Sequence, residues 1–286
     1  MIHRSTIQLL RFHFSFFLMP VYWFALSQVV QPDAERALLI FIILHVLIYP
    51  SSNGFNSYMD RDEDSIGGVK SPLQPTRQLM YASLIMDILA LILGLFISRY
   101  FAAAALIYIL ASRAYSARSI RLKKYPITGF LTVVICQGAL VFFMVYHGSH
   151  PLFSLHVPTL GMISASLLIG GFYPLTQIYQ HEADARDNVV TISAQLGLRG
   201  TFVFSGIVYG IAYLTLAFFL LSSLELKEFC VFTTAMLPVL VYFMIWAGKV
   251  WKNPSRADFR HTMQMNMIAS LCSGVGFILV FLMRYL

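Results

Sequence analysis

The acids of this chain are clustered. Of 13 Asp and Glu residues in 286, most of those near one another fall in two short stretches. Asp60, Asp62, Glu63 and Asp64 lie in NSYMDRDED, and Glu182, Asp184 and Asp187 follow much later. At 100° per helical residue, Asn56, Asp60 and Asp64 turn by only about 40° per step, so one helix face carries all three while Asp62 and Glu63 point elsewhere. Gln180, Asp184 and Asp187 share a second face within roughly 60°, with Glu182 on the far side. Such oxygen-bearing faces suit a hard divalent cation, because Mg2+ takes one or two carboxylates and leaves its other positions to water and substrate phosphate. Acids at helix ends also serve solubility. The same spacing at two places is what points to metal.

A third stretch, SRAYSARSIRLKKYP, sets Arg113, Arg118, Arg121, Lys123 and Lys124 around Tyr115. Membrane topology accounts for some basic residues here, yet basic side chains on the same face as two acid sets also imply an anion. Lys70 and Arg77, after the first acid set, add to it. Carboxylate-held Mg2+, Lys and Arg beside it, and an apolar bundle behind describe a site for a diphosphate with an apolar tail. Isoprenyl diphosphates have that shape.

The elements that must position these residues are membrane spans. The chain is 58% hydrophobic, with a mean hydropathy of +0.72, well above soluble domains. Apolar windows long enough to cross roughly 30 Å of hydrocarbon recur at 11–30, 36–58, 78–98, 100–115, 126–146, 157–179, 201–221, 229–247 and 263–285. The expectation is an all-α integral membrane protein, one nine-helix bundle over 1–286, with the N-terminus in the cytoplasm. Of 20 Lys and Arg residues, only Arg36, Arg99, Lys227 and Arg284 then fall outside, as the positive-inside rule requires. Both acid sets and the basic run face the cytoplasm, and a bacterial cytoplasmic membrane is the expected location. The first window is too long for a signal-peptide core and lacks a small-residue cleavage site, so it reads as a retained helix. The net charge of +7 is orientation signal and attraction to the inner leaflet, and no basic domain suggests nucleic acid. Cys136, Cys230 and Cys272 have neither metal nor disulfide spacing and read as small apolar residues.

With both motifs and the topology in place, the sequence resembles the UbiA superfamily of membrane prenyltransferases, whose nine-helix bundle carries NDxxDxxxD after helix 2 and a DxxxD-type motif after helix 6. Asn56, Asp60 and Asp64 match the first motif, with Ser57 in place of its second-position Asp. Counting back from TISAQLG puts Gln180 and Asp184 on the second motif. Gln180 is neutral where the family has an acid, and Asp187 on the same face is the residue to replace its charge. The basic run is similar to the family's tyrosine-and-basic segment, with Tyr115, Arg118, Arg121 and Lys123 as matching types. Arg11 is placed like a family arginine near the pocket, and Lys70 joins this diphosphate-binding set. The resemblance implies that Asn56, Asp60, Asp64, Gln180, Asp184 and Asp187 hold Mg2+, with Asp60, Asp64 and Asp184 essential to catalysis. It implies an enzyme that transfers an isoprenyl group to a lipophilic acceptor in the bilayer, an aromatic one in quinone or related lipid synthesis.

Two rival functions use the same residues. A UbiA-like terpene cyclase ionises the same diphosphate but lets the chain's own double bond capture the cation. A divalent-cation transporter would use the acid sets as vestibules, and it needs polar groups through the bilayer midplane. Asp87, about ten residues into the third window, is the acid at that depth. It is either a pocket residue or a hydrogen-bonded structural acid. His13 and His45 have no second ligand at helical spacing and read as packed polar residues.

Overall fold

Apolar runs of this length satisfy their backbone polar groups within hydrocarbon by coiling into helices. The computed structural model describes residues 3–223 and 225–284. The long helices are α1 (Arg4–Ser27), α2 (Ala34–Asp60), α3 (Arg77–Ile97), α4 (Arg99–Ser116), α5 (Pro126–Ser149) and α6 (Thr159–Gln177). A short α7 (His181–Arg186) follows, then α8 (Ile192–Ser222), α9 (Leu226–Lys252) and α10 (Phe259–Met283). Among the described residues, eight helices are long and apolar enough to cross a membrane. The chain is an integral membrane protein. The expected fourth window is α4, which falls short of the other eight in apolarity because Arg99, Arg113 and three tyrosines lie within its 18 residues.

Helix ends are written locally. Asp33, Ser98, Thr191 and Asp258 precede α2, α4, α8 and α10, and each side chain accepts a backbone N–H of the first turn, which satisfies a donor the helix leaves open. The seventh expected window began at residue 201, whereas α8 begins nine residues earlier and breaks at Gly197, whose φ of 69° is outside helical space.

Packing orders the bundle. In α1 and α2, 50% and 56% of the most apolar stretch is buried, against 22% and 17% in α8 and α9; the first pair is central and the second meets lipid. Leu214, Phe218, Leu240 and Met244 accordingly stay exposed. At the centre Phe24 stacks on Phe277 with centroids 4.5 Å apart, and Phe142 meets Phe24 edge-on at 5.0 Å.

Helix α5 widens to π geometry over Ile135–Leu140. Gly138 sits there because a Cβ would lie 2.4 Å from the Cα of Ser166 on α6. The Ala139 N–H donates to Ser166 Oγ at 3.0 Å. Wide turns of this kind recur at functional sites, and this one carries Cys136 and Gln137.

Asp87 is a structural acid. Arg113 Nε donates to its carboxylate at 3.0 Å, Ser51 Oγ donates at 2.5 Å, and the guanidinium lies 4.1 Å from the centroid of the Phe55 ring. The pair ties α2, α3 and α4 together and removes the free midplane acid that a transporter would use.

A candidate active site at the acid-bearing end of the bundle

A cavity of about 230 Å³ opens among α1, α2, α4, α5, α6, α7 and α10. Its wall brings together Arg11, Asn56, Asp60, Tyr115, Lys123, Gln180, Asp184 and Asp187 from the sequence-derived set. It leaves out Asp64, Lys70, Arg118 and Arg121, and it adds Asp62.

The exchange of Asp64 for Asp62 has a backbone cause. The same-face reading required the helix to continue through Asp64, but α2 ends at Asp60 and Arg61 turns into the left-handed region with φ 54°. That turn swings Asp62 onto the cavity wall, while Asp64 pairs with Arg186 at the surface, the two side chains 55% and 69% exposed. The loop after α2 then folds back on α1 through a tight turn between Ile66 and Val69. Gly68, with φ 81°, fits there because a Cβ would strike His13. Arg11, itself left-handed at φ 49°, donates to the carbonyl oxygens of Gly67 at 3.3 Å and Asn53 at 3.2 Å. It thereby pins the loop to α2.

The second acid set sits on a separate short helix, because α6 stops at Gln177 and α7 carries Asp184 between its cap residues Gln180 and Asp187. Gln180, Asp184 and Asp187 all reach the wall. Gln180 Nε2 donates to the Ser65 carbonyl at 3.4 Å, linking the two acid-bearing loops.

The basic run divides. Lys123 pairs with Asp60, while Arg121 pairs with Asp187 and comes within 3.7 Å of Asp60. Arg118 instead donates to the Met59 carbonyl at 2.8 Å, capping the end of α2, and Lys70 is exposed; neither faces the cavity as the resemblance implied. Tyr115 and Tyr173 share a hydroxyl–hydroxyl hydrogen bond on the wall. Asn56 Nδ2 donates to Ser116 Oγ at 2.9 Å.

Four carboxylates line the cavity against Arg11 and Lys123. Burial first, then the nearby Asp60, pushes the Asp62 carboxyl up to about 6. Burial also pushes Asp184 up to about 7, with Asp60, Asp62 and Asp187 adding and Lys123 opposing. One buried oxygen, Asp60 Oδ1, has no hydrogen-bond donor. Excess negative charge and an unsatisfied carboxylate oxygen fit a divalent cation. Among the described residues no three acids, His or Cys converge on one ligation point, so the donors suit ions that keep water or phosphate in several positions, as Mg2+ does.

The cavity does not stop at its charged end. Tyr108, Gln137, Tyr173, Thr176 and Asn266 also line a second chamber of about 130 Å³, with Phe17, Leu18, Ile169 and Phe172. Phe17, Ile169 and Phe172 in turn border a third of about 50 Å³, closed by Phe24 and Phe277. Sequence reasoning missed Asp62, Gln137, Gln177 and Asn266. A polar amide inside an apolar helix was the signal available for the last three.

The UbiA prenyltransferase family model matches residues 16–281. The chain belongs to that family. No curated protein sequence matches this UbiA chain significantly, but solved structures do. A UbiA homologue from Archaeoglobus fulgidus bound to DMAPP and Mg2+ is 19% identical with a TM-score of 0.70, covering 96% of this chain and 99% of that one. The apo UbiA homologue from Aeropyrum pernix K1 is 18% identical with a TM-score of 0.71, over 93% and 97%. A digeranylgeranylglyceryl phosphate synthase is 18% identical with a TM-score of 0.59, over 96% and 98%. At these identities the likeness establishes a UbiA fold.

Proposed function

We propose that this chain transfers an isoprenyl group from a prenyl diphosphate to a lipophilic, membrane-associated acceptor, an aromatic one of the kind used in quinone or related lipid synthesis. Mg2+ is the cofactor, and the acid-bearing loops face the cytoplasm of a bacterial cell. The observation that carries this is one cavity with carboxylates and cations at its mouth and apolar chambers behind it. The Archaeoglobus neighbour, bound to DMAPP or GPP with Mg2+, supports it.

Asp60 at the end of α2 with Asp62 just beyond it, and Asp184 on α7 with Asp187 at its cap, would hold Mg2+, with Asn56 and Gln180 supplying neutral oxygens. When bound, Mg2+ neutralises diphosphate charge and so eases departure of the leaving group. Lys123 and Arg11 add fixed positive charge at the same end, where charge-assisted hydrogen bonds to phosphate oxygens are short and strong. The C1–O bond of the prenyl diphosphate breaks and the diphosphate keeps the electron pair. The aromatic faces of Tyr108, Tyr115 and Tyr173 on the wall favour a cation at C1, each by roughly 0.5–2 kcal/mol. The acceptor bonds to C1 and loses a proton, which the released diphosphate takes up. Phe17, Phe172 and Ile169 hold the tail out of water.

The test uses purified protein in lipid nanodiscs with geranyl or farnesyl diphosphate, with and without Mg2+ and a membrane lipid extract. Mg2+-dependent diphosphate release and a prenylated lipid by mass spectrometry are expected. A cyclic hydrocarbon formed without acceptor would identify a cyclase instead. Absence of any Mg2+-dependent binding of either diphosphate would refute both.

A further inference from the structure

Between the charged mouth and the apolar chambers lies a belt of neutral amides, contributed by four helices. Asn53 comes from α2, Gln137 from the π turn of α5, Gln177 from α6 and Asn266 from α10. Asn266 is 1% exposed, yet neither its Oδ1 nor its Nδ2 has a hydrogen-bond partner. It lines both the mouth and the second chamber. Gln177 Nε2 donates to Tyr173 Oη at 2.9 Å, but its Oε1 is buried and unpartnered. A carboxamide taken out of water without partners is costly. Two of them at one wall mark a place shaped for a polar group that the protein itself does not supply.

We propose that this belt, with Asn266 as its specificity-determining residue, binds the hydroxyl of an uncharged acceptor head group. The inference rests on the prenyl-transfer reading. A carboxamide offers an acceptor oxygen and donor hydrogens side by side, the complement of a hydroxyl, which donates one hydrogen bond and accepts others. The second chamber has no Asp, Glu, Lys, Arg or His on its described wall, so an ionised head group meets no counter-charge there. Arg11 and Lys123, the cations of the mouth wall, are engaged there: Arg11 spends two nitrogens on the carbonyls of Gly67 and Asn53, and Lys123 pairs with Asp60. The belt also sits where the diphosphate end meets the apolar end, which is where C1 of a bound prenyl diphosphate would lie and where an acceptor must be held.

The test compares binding of 1-naphthol, 1-methoxynaphthalene and 1-naphthoate to protein in nanodiscs, corrected for partition into empty nanodiscs. Binding of geranyl diphosphate with Mg2+ is measured alongside. Wild type should prefer naphthol to its methyl ether by roughly fivefold to tenfold, the range for about one net hydrogen bond. Asn266→Leu, similar in size and apolar, should abolish that preference, with Mg2+-dependent binding of geranyl diphosphate showing that the variant is folded. Should the leucine variant fail to fold, Asn266→Ala carries the same expectation. No naphthol preference in wild type, a preference that survives in the variant, or tighter binding of naphthoate than naphthol would each overturn the inference. Failure of wild type to bind geranyl diphosphate would instead bring down the prenyl-transfer reading beneath it.

Discussion

Asp62→Asn and Asp64→Asn remove the same charge two residues apart, and the structure assigns them opposite weights. Asp62 is on the cavity wall beside Asp60, whereas Asp64 is 55% exposed and paired with an exposed Arg186. A charge-assisted contact at a partly desolvated site contributes about 1.5–3 kcal/mol, so Asp62→Asn should weaken Mg2+ binding roughly tenfold to more than a hundredfold. An exposed pair is worth about 1 kcal/mol or less, so Asp64→Asn should cost under roughly fivefold. Stability should move the other way. The Asp62 carboxyl is raised to about 6 by burial and by Asp60, so its ionised form is less favourable in the folded protein than in the unfolded chain. At pH 8 the neutral amide should therefore raise the melting temperature of metal-free protein, by on the order of 1–3 kcal/mol of stability. The assay is a Mg2+ titration of geranyl diphosphate binding at pH 8, with thermal denaturation in EDTA. Loss of roughly tenfold or more in Asp64→Asn, together with near wild-type Mg2+ binding in Asp62→Asn, would refute the geometric assignment.

Three further outcomes follow from the same geometry. Lys123→Met should weaken geranyl diphosphate binding by roughly tenfold or more, while Arg118→Met, which loses only a contact to the Met59 carbonyl, should leave it near wild type in the same titration. With Asp62 and Asp184 raised to about 6 and about 7, the folded protein binds more protons than the unfolded chain between about pH 4 and 7. Metal-free stability should thus fall as pH rises through that window, and Mg2+ affinity, read by titration at pH 6 and pH 8, should climb by on the order of tenfold. Asp87→Ala leaves Arg113, whose side chain is 20% exposed, as an uncompensated and partly desolvated cation and should destabilise the protein by about 2–4 kcal/mol, with Asp87→Leu/Arg113→Met recovering much of the loss in thermal denaturation.

How far the sequence led depends on backbone continuity. Helix positions were readable wherever 20 apolar residues ran together, because the bilayer leaves the chain few other conformations. Asp60 and Asn56 were readable as a same-face pair because α2 persists to Asp60. Asp62 was misplaced because helical angles were carried past a left-handed Arg61 that no periodicity announces. Arg118 and Lys123 carry the same charge in one run, and only the fold of the α4–α5 connection decides which meets Asp60. Asn266, Gln177 and Gln137 lie far apart in the chain and meet only through packing of α5, α6 and α10.

The π turn of α5 stores part of the site in the number of residues rather than in their identity. Deleting one residue from 135–140 would let the turn close to regular α geometry with the two flanking halves near their present phase, because a wide turn absorbs a single extra residue locally. Phe142 and Val145 would keep their places in the core and Phe130 and Val134 theirs against Gly170, while Cys136 and Gln137 would no longer both be presented to the cavity wall. A chain shorter by one unremarkable residue would so lose an alignment that many single substitutions leave intact, and length at this turn is itself a heritable feature of the binding pocket.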